Sequence, residues 1–121
     1  MRILIIDDEP AIPMALKDFL EDTEEYEVYL ANTGEQGIEI IEESDIDVCI
    51  VDMRLPKMTG NEFIIKASSI APQAKYIIHT GSLDYKVPEE LREIGITSKS
   101  IVFKPAIDMN LFTDRINQLM K

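Results

Sequence analysis

The chain is short of basic residues, of cysteine and of long apolar stretches, and each shortage removes a class of function. Twelve lysines and arginines stand against 23 aspartates and glutamates, a formal charge of −11. Nucleic acid asks for the opposite sign, so no direct binding of DNA or RNA is expected. The one cysteine, Cys49 in DVCIV, has no internal partner for a disulfide and reads as a small buried hydrophobe. A reducing, cytoplasmic setting is the expectation. The apolar runs are a few residues long, far below the ~20 that a helix needs to cross a bilayer, so no membrane partner is expected. MRILIIDDEP opens without the basic, apolar and small-residue order of an export leader. Linkers, charge blocks and internal repeats are also missing. With 121 residues, 45% of them hydrophobic, residues 1–121 are expected to form one domain around a real core.

What is present is an alternation of two patterns. Unbroken apolar runs occur at Ile3–Ile6, Val48–Val51, Tyr76–His79 and Ile101–Phe103, as in parallel strands covered on both faces. The run Tyr26–Ala31 alternates in part, as an edge strand does. Between the runs lie helical stripes: Ile12, Leu16, Phe19 and Leu20; Ile38 and Ile41 within Glu35–Glu43; Phe63, Ala67 and Ile70; Val87, Leu91 and Ile94; and Met109, Phe112, Ile116 and Leu119. Pro13 and Pro88 fall in first turns, where a missing N–H costs little. Asn61 and Asp108 are expected N-caps. Strand and helix alternate five times, which predicts a doubly wound α/β fold with right-handed crossovers. In such folds the sites lie beyond the carboxyl ends of the strands.

Those ends carry the chemistry. The first strand runs out into Asp7, Asp8 and Glu9, the third into Asp52, the fourth into Thr80, Gly81 and Ser82, and the fifth into Lys104 and Pro105. Were these ends to converge, carboxylates, a hydroxyl and an ammonium would share one cleft. Two carboxylates about 4 Å apart repel by roughly 4 kcal/mol at a surface-like dielectric. A hard divalent cation removes that repulsion, and Mg²⁺ or Mn²⁺ suits a shallow site of few carboxylates, water and phosphate oxygen. Such a site equips Asp52 to attack a phosphoryl group while the cation and Lys104 neutralise its oxygens and Thr80 donates a hydrogen bond. Singly each residue has a plainer reading: a solvated helix start, a turn acid, a strand-end hydroxyl, a loop Lys-Pro. Jointly, four strand ends of one topology presenting these groups favour the site. His79, inside an apolar strand, is expected to be a satisfied core histidine, and Tyr76 and Phe103 to be core.

ILIIDDEP, VDMRLPKMTG, HTG and FKP, in that order and spacing, resemble a response-regulator receiver domain of the chemotaxis-regulator type across essentially the whole chain. The resemblance implies a flavodoxin-like five-stranded parallel sheet of order 2-1-3-4-5. It implies Asp52 as phosphoacceptor, Asp8 as a Mg²⁺ ligand, Asp7 reaching the metal partly through water, and a backbone carbonyl of Arg54 completing the set. Thr80 would be the switch hydroxyl and Lys104 the phosphate-contacting lysine, followed by a cis bond to Pro105, with Gly60 at a sharp turn into the third helix. Arg54 and Ser82 would tune loss of the acyl phosphate. Ile101 stands where many receivers carry an aromatic ring that moves on activation. The implied partners are a histidine kinase or histidine phosphotransfer protein, docking near Ile12, Met14, Pro105 and Ala106, and a downstream effector domain or protein. The implied role is a phosphoacceptor switch that assists its own phosphorylation and dephosphorylation, not an enzyme acting on other substrates.

Other classes fit less well. A phosphatase of the haloacid dehalogenase type needs a second Asp two residues after the nucleophile, where Arg54 stands. A flavodoxin needs a phosphate-cradling loop after the first strand, where Asp7, Asp8 and Glu9 would repel the flavin phosphate. A phosphorylation-independent interaction module on the receiver fold is the alternative, for which Ile101 leaves room.

Overall fold

A buried parallel strand sends successive side chains to opposite faces, and here that alternation sorts the core into two layers. The computed structural model describes residues 1–24, 26–105 and 108–120. Strands β1 (Arg2–Ile6), β2 (Glu27–Ala31), β3 (Val48–Asp52), β4 (Lys75–Thr80) and β5 (Ile101–Phe103) form one parallel sheet of order 2-1-3-4-5. The expected flavodoxin-like architecture is therefore observed. Leu4, Ile6, Cys49, Val51, Tyr76, Ile78 and Ile101 face one layer, shared with Ile38 and Ile41 of α2 (Gly34–Glu43), Phe63, Ile64 and Ala67 of α3 (Gly60–Ile70) and Leu91 of α4 (Glu89–Glu93). Ile3, Ile5, Val48, Ile50, Ile77 and Val102 face the other, with Leu16 and Leu20 of α1 (Ala11–Glu24) and Phe112 and Ile116 of α5 (Asn110–Leu119). Each fully buried Ile, Leu or Phe contributes about 2 kcal/mol by leaving water. This two-sided burial is why the strands read as unbroken apolar runs. Cys49 is buried, and its burial pushes the thiol's pKa up.

The helix ends depart from expectation at four places, each for a local reason. Helix α3 begins at Gly60 with Thr59 as N-cap, not Asn61: Thr59 Oγ1 accepts from the Glu62 N–H at 3.1 Å and Glu62 Oε1 accepts from the Thr59 N–H at 3.2 Å, a full capping box. Met109 holds the cap position of α5, although Asp108 Oδ1 still accepts from the Asn110 N–H at 3.0 Å. Helix α4 is only five residues long. Gly95 ends it at φ +95°, with Gly95 N–H bonded to Arg92 O and Ile96 N–H bonded to Leu91 O, both at 3.0 Å. Of the expected stripe, Leu91 alone is buried, Val87 precedes the helix, and Ile94 is 45% exposed. Phe103, expected in the core, is 40% exposed at the end of β5, the edge strand.

Candidate functional site

Three strand ends turn the chain in the same way: a side-chain oxygen accepts from the N–H two residues on. Asp7 Oδ1 takes Glu9 N–H at 2.9 Å, Asp52 Oδ1 takes Arg54 N–H at 3.1 Å, and Thr80 Oγ1 takes Ser82 N–H at 3.1 Å. Short polar side chains make such turns readily, so Asp, Asp and Thr here shape their loops as well as furnish them. The ladders continue one residue past the strands, with Asp7 N–H on Ala31 O at 3.1 Å and Lys104 N–H on Thr80 O at 2.8 Å. Those bonds bring Asp7 and Lys104 to the same rim as Asp52. The Lys104–Pro105 bond is cis, as the resemblance implies.

Lys104 Nζ stands 3.3 Å from Asp7 Oδ2 and 3.4 Å from Asp52 Oδ2. Asp7 and Asp52 are buried at 3% and 6% exposure, whereas Asp8 is exposed. One carboxylate oxygen from each of Asp7, Asp8 and Asp52 lies within 4.8 Å of the others. Three negative charges thus meet one positive charge, and each carboxylate pair at that spacing repels by about 3 kcal/mol at an effective dielectric of 20. Burial is the main influence raising the Asp52 pKa. Asp7 adds to it, while the Arg54 N–H and Lys104 oppose it without cancelling it. For Lys104 burial pulls the pKa down, but Asp7 and Asp52 outweigh it and hold the ammonium charged.

Asp8, Glu9, Asp52, Arg54, Gly81 and Lys104 line an open cavity of about 330 Å³ above this cluster. Asp7, a member of the carboxylate cluster, lies behind the residues that line the cavity and is in contact with Lys104, which does line it. Thr80 is buried at 4% exposure just beneath Gly81, with Ser82 half-buried beyond it. Ile101 lies away from the cavity, 7% exposed in the core layer beneath α4. Glu9 and Gly81 line the cavity although the sequence assigns neither a role there, and the acidic run and the strand-end position are the signals that mark them. The donor set fits a hard divalent cation: three convergent carboxylates, one of them open to water, and room for further oxygen ligands. Among the expected docking residues, Met14 is 58% exposed, Ile12 is half-buried, Pro105 is exposed, and Ala106 lies outside the described residues. His79 is buried as expected but not satisfied, because its Nε2 has no hydrogen-bond partner. No helix among the described residues is long and apolar enough to cross a membrane.

Comparison with known proteins agrees with this geometry. The profile of the response regulator receiver domain matches residues 3–117. The cell cycle response regulator CtrA of Brucella ovis is 28% identical over 105 residues, which cover 87% of this chain and 44% of CtrA. The chain therefore spans less than half the length of the curated relatives it matches. A response regulator receiver domain protein from Clostridium thermocellum superposes with a TM-score of 0.83 at 31% identity, covering 98% of this chain and 93% of that one. The response regulator TrrA from Thermotoga maritima, solved in complex with Mg²⁺ and BeF, also superposes at 0.83, with 25% identity and coverage of 98% and 97%. A sheet of order 2-1-3-4-5, a three-carboxylate rim with one lysine laid across it, and a family match over nearly the full length lead to one conclusion: the chain belongs to the response regulator receiver domain family, the phosphoacceptor signalling domains of two-component systems.

Proposed function

We propose that residues 1–121 act as one receiver domain in which Asp52 accepts a phosphoryl group from a phosphohistidine on a histidine kinase or histidine phosphotransfer protein. The observation that carries this reading is the placement of Asp52: one oxygen is steadied by the Arg54 N–H, the other faces Lys104, and the side chain opens into the cavity. A carboxylate oxygen of Asp52 attacks phosphorus as the P–N bond to the donor imidazole breaks, and the departing nitrogen is left to take a proton. The product is an acyl phosphate and a neutral donor histidine. Lys104 moves from the Asp52 oxygen to a phosphoryl oxygen, remaining close to Asp7. Thr80, whose Oγ1 already accepts from Ser82, has its hydroxyl proton to donate to the phosphoryl group. Asp7, Asp8, Asp52 and the carbonyl of Arg54 would hold Mg²⁺ or Mn²⁺, which when bound supplies positive charge against the transferring oxygens. In TrrA the same pairing of Mg²⁺ with a phosphoryl mimic supports this assignment.

The docking rim is Ile12, Met14 and Pro105 with Ala106. The output runs through the Gly81–Val87 loop and α4 to an effector domain or protein in the cytoplasm. Ile101, aliphatic and buried, fills space there without presenting a ring outside. Arg54 and Ser82 sit two residues past Asp52 and Thr80 and set the rate at which water removes the phosphoryl group, so the chain assists its own reactions and turns over no other substrate. The test is mass spectrometry after incubation with acetyl phosphate and Mg²⁺: Asp52 gains one phosphoryl group, Asp52→Asn gains none, and Asp7→Asn gains less. A label on another residue overturns the assignment. No label on the folded, metal-loaded protein instead selects the phosphorylation-independent interaction module.

A further inference from the structure

Asn61 reads in the sequence as a helix cap, and the structure gives that task to Thr59. The Asn61 side chain is left for another use. Its Oδ1 accepts from the Tyr85 hydroxyl at 2.9 Å, across a separation of 24 residues. The two ends of this bond are not held alike. Asn61 stands in the first turn of α3 beside Gly60, which packs against the Asp52–Met53 backbone and whose N–H is bonded to Met53 O at 3.2 Å. It is therefore fixed relative to Asp52. Tyr85 lies in the loop between β4 and α4, half-buried against the core layer that α3 and α4 cover. Its backbone N–H is bonded to Ser82 O at 3.2 Å, and the Ser82 N–H is bonded to Thr80 Oγ1 at 3.1 Å. A series of hydrogen bonds thus runs from Thr80 through Ser82 and Tyr85 to Asn61.

We propose that the Tyr85–Asn61 bond is a brake on phosphorylation: it holds the loop after β4 at rest and must break before Thr80 meets a phosphoryl group on Asp52. The brake rests on the reading given above, with Asp52 as phosphoacceptor and Thr80 as the donor to its phosphoryl group. Gly81 lines the acidic cavity and Thr80 does not, so the buried hydroxyl has a distance to travel before it meets an oxygen there. The oxygen that donates also accepts from Ser82 N–H, so Thr80 draws Ser82 with it, and Ser82 draws Tyr85. Beyond Tyr85 the loop is tied to a fixed point. The ring has space to move once its hydroxyl lets go, because Tyr85 borders a cavity of about 410 Å³ with Val87, Ile96 and Ile101. A bond made at rest and lost in the switched state biases the equilibrium by its own free energy. For one neutral hydrogen bond that bias is about three- to tenfold.

The experiment measures the affinity of the chain, in saturating Mg²⁺, for beryllofluoride, a phosphoryl mimic. Tyr85→Phe keeps the ring and removes the hydroxyl, and Asn61→Ala removes the acceptor. Each should bind beryllofluoride about three- to tenfold more tightly than the unaltered chain. The double variant should bind no more tightly than either alone, because the same single bond is lost in all three. Carbon-13 at tyrosine Cζ gives a direct NMR readout of the hydroxyl. The Tyr85 signal, identified by its loss in Tyr85→Phe, should move on adding beryllofluoride toward its position in Asn61→Ala. Unchanged or weaker binding in either single variant overturns the brake, as do additive gains in the double variant, and as does a Tyr85 signal that stays in place when the mimic is bound. Failure of the unaltered chain to bind beryllofluoride is a different result: it overturns the phosphoacceptor reading, and the brake with it. Should Asn61→Ala fail to fold by circular dichroism, the affinity of Tyr85→Phe and the movement of the Tyr85 signal decide alone.

Discussion

At the amino-terminal rim of the sheet, charges are answered where they stand. Arg2 meets Glu27 at 3.2 Å, its backbone N–H meets Asp47 Oδ2 at 2.8 Å, and the Asp47 backbone is bonded both to Arg2 O and to Lys75 N–H. At the carboxyl-terminal rim, three carboxylates share one ammonium, and two of those carboxylates are buried. The same five strands therefore end in a settled edge on one side and a repelling one on the other. The unsettled edge costs stability that a bound cation or a phosphoryl group can return, which is how a site made of acids becomes a switch. The comparison can be broken by disturbing each rim in turn, beginning where the effect is largest.

Gly60 is packed against the Asp52–Met53 backbone. A Cβ there would lie 2.4 Å from Met53 Cε, 2.7 Å from the Asp52 carbonyl oxygen and 2.8 Å from Met53 Cα. The methionine tip can move, but the backbone atoms cannot without displacing Asp52. Gly60→Ala should cost about 3 kcal/mol in urea denaturation. Gly81→Ala, whose Cβ would approach nothing nearer than Lys104 Cβ at 3.9 Å, should be almost silent. Similar midpoints for the two variants would show that the rim yields more easily than its geometry states.

Metal should repay the repulsion. With Mg²⁺ at 100 times its Kd, the folded state should gain about 2.7 kcal/mol. Asp8→Asn, which removes the exposed carboxylate of the three, should lose most of that gain in a denaturation series with and without Mg²⁺. An undiminished gain would place the cation elsewhere.

Asp52 itself offers a smaller and pH-dependent effect. Its folded pKa is raised above the ordinary 3.8, so the folded state holds its proton more tightly than the unfolded one. The ionised residue then costs stability above the folded pKa, and the cost disappears below the unfolded value. Metal-free Asp52→Asn should therefore melt higher than the unaltered protein at pH 7. The difference should shrink as pH falls through the folded pKa and vanish near pH 3. A constant difference in calorimetry across that range would assign the stabilisation to packing and not to charge.

Much of this site is legible in the sequence because strands covered on both faces advertise themselves as apolar runs, and the residue that ends each run is then fixed in place on the rim. Asp7, Asp52, Thr80 and Lys104 follow from that rule. Their mutual distances do not, since Lys104 reaches both acids only through the ladder bond to Thr80 O. The start of α3 is written in Thr59 and Glu62, three apart, a stronger signal than the lone Asn61 beside them. The shortness of α4 is signalled by Gly95, whose left-handed conformation closes the helix so that Ile94 points outward. Phe103 reads as core because an apolar run does not reveal which strand lies at the edge. The unpaired Nε2 of His79 leaves no trace in sequence, because burial follows hydrophobic pattern whereas hydrogen bonding depends on what stands opposite.

The smallest effect is expected at the settled rim, and its smallness carries information. Arg2 and Glu27 are joined at 3.2 Å, yet their side chains are 43% and 60% exposed, so water and salt compete with the pair. Arg2→Ala keeps the backbone N–H that meets Asp47, and with it the link between the starts of β1 and β3. It should leave the melting temperature within the scatter of the measurement and leave labelling of Asp52 by acetyl phosphate unchanged. The pKa of Glu27, held down first by the Tyr29 hydroxyl and then by Arg2, should rise, because one of its two hydrogen-bond partners is gone. A carbon-detected NMR titration of the Glu27 carboxyl reads that shift. Were Arg2→Ala instead to lower the melting temperature as far as Gly60→Ala, the amino-terminal rim would tolerate change no better than the acidic one, and the contrast between an edge that holds the sheet and an edge that performs its chemistry would not stand.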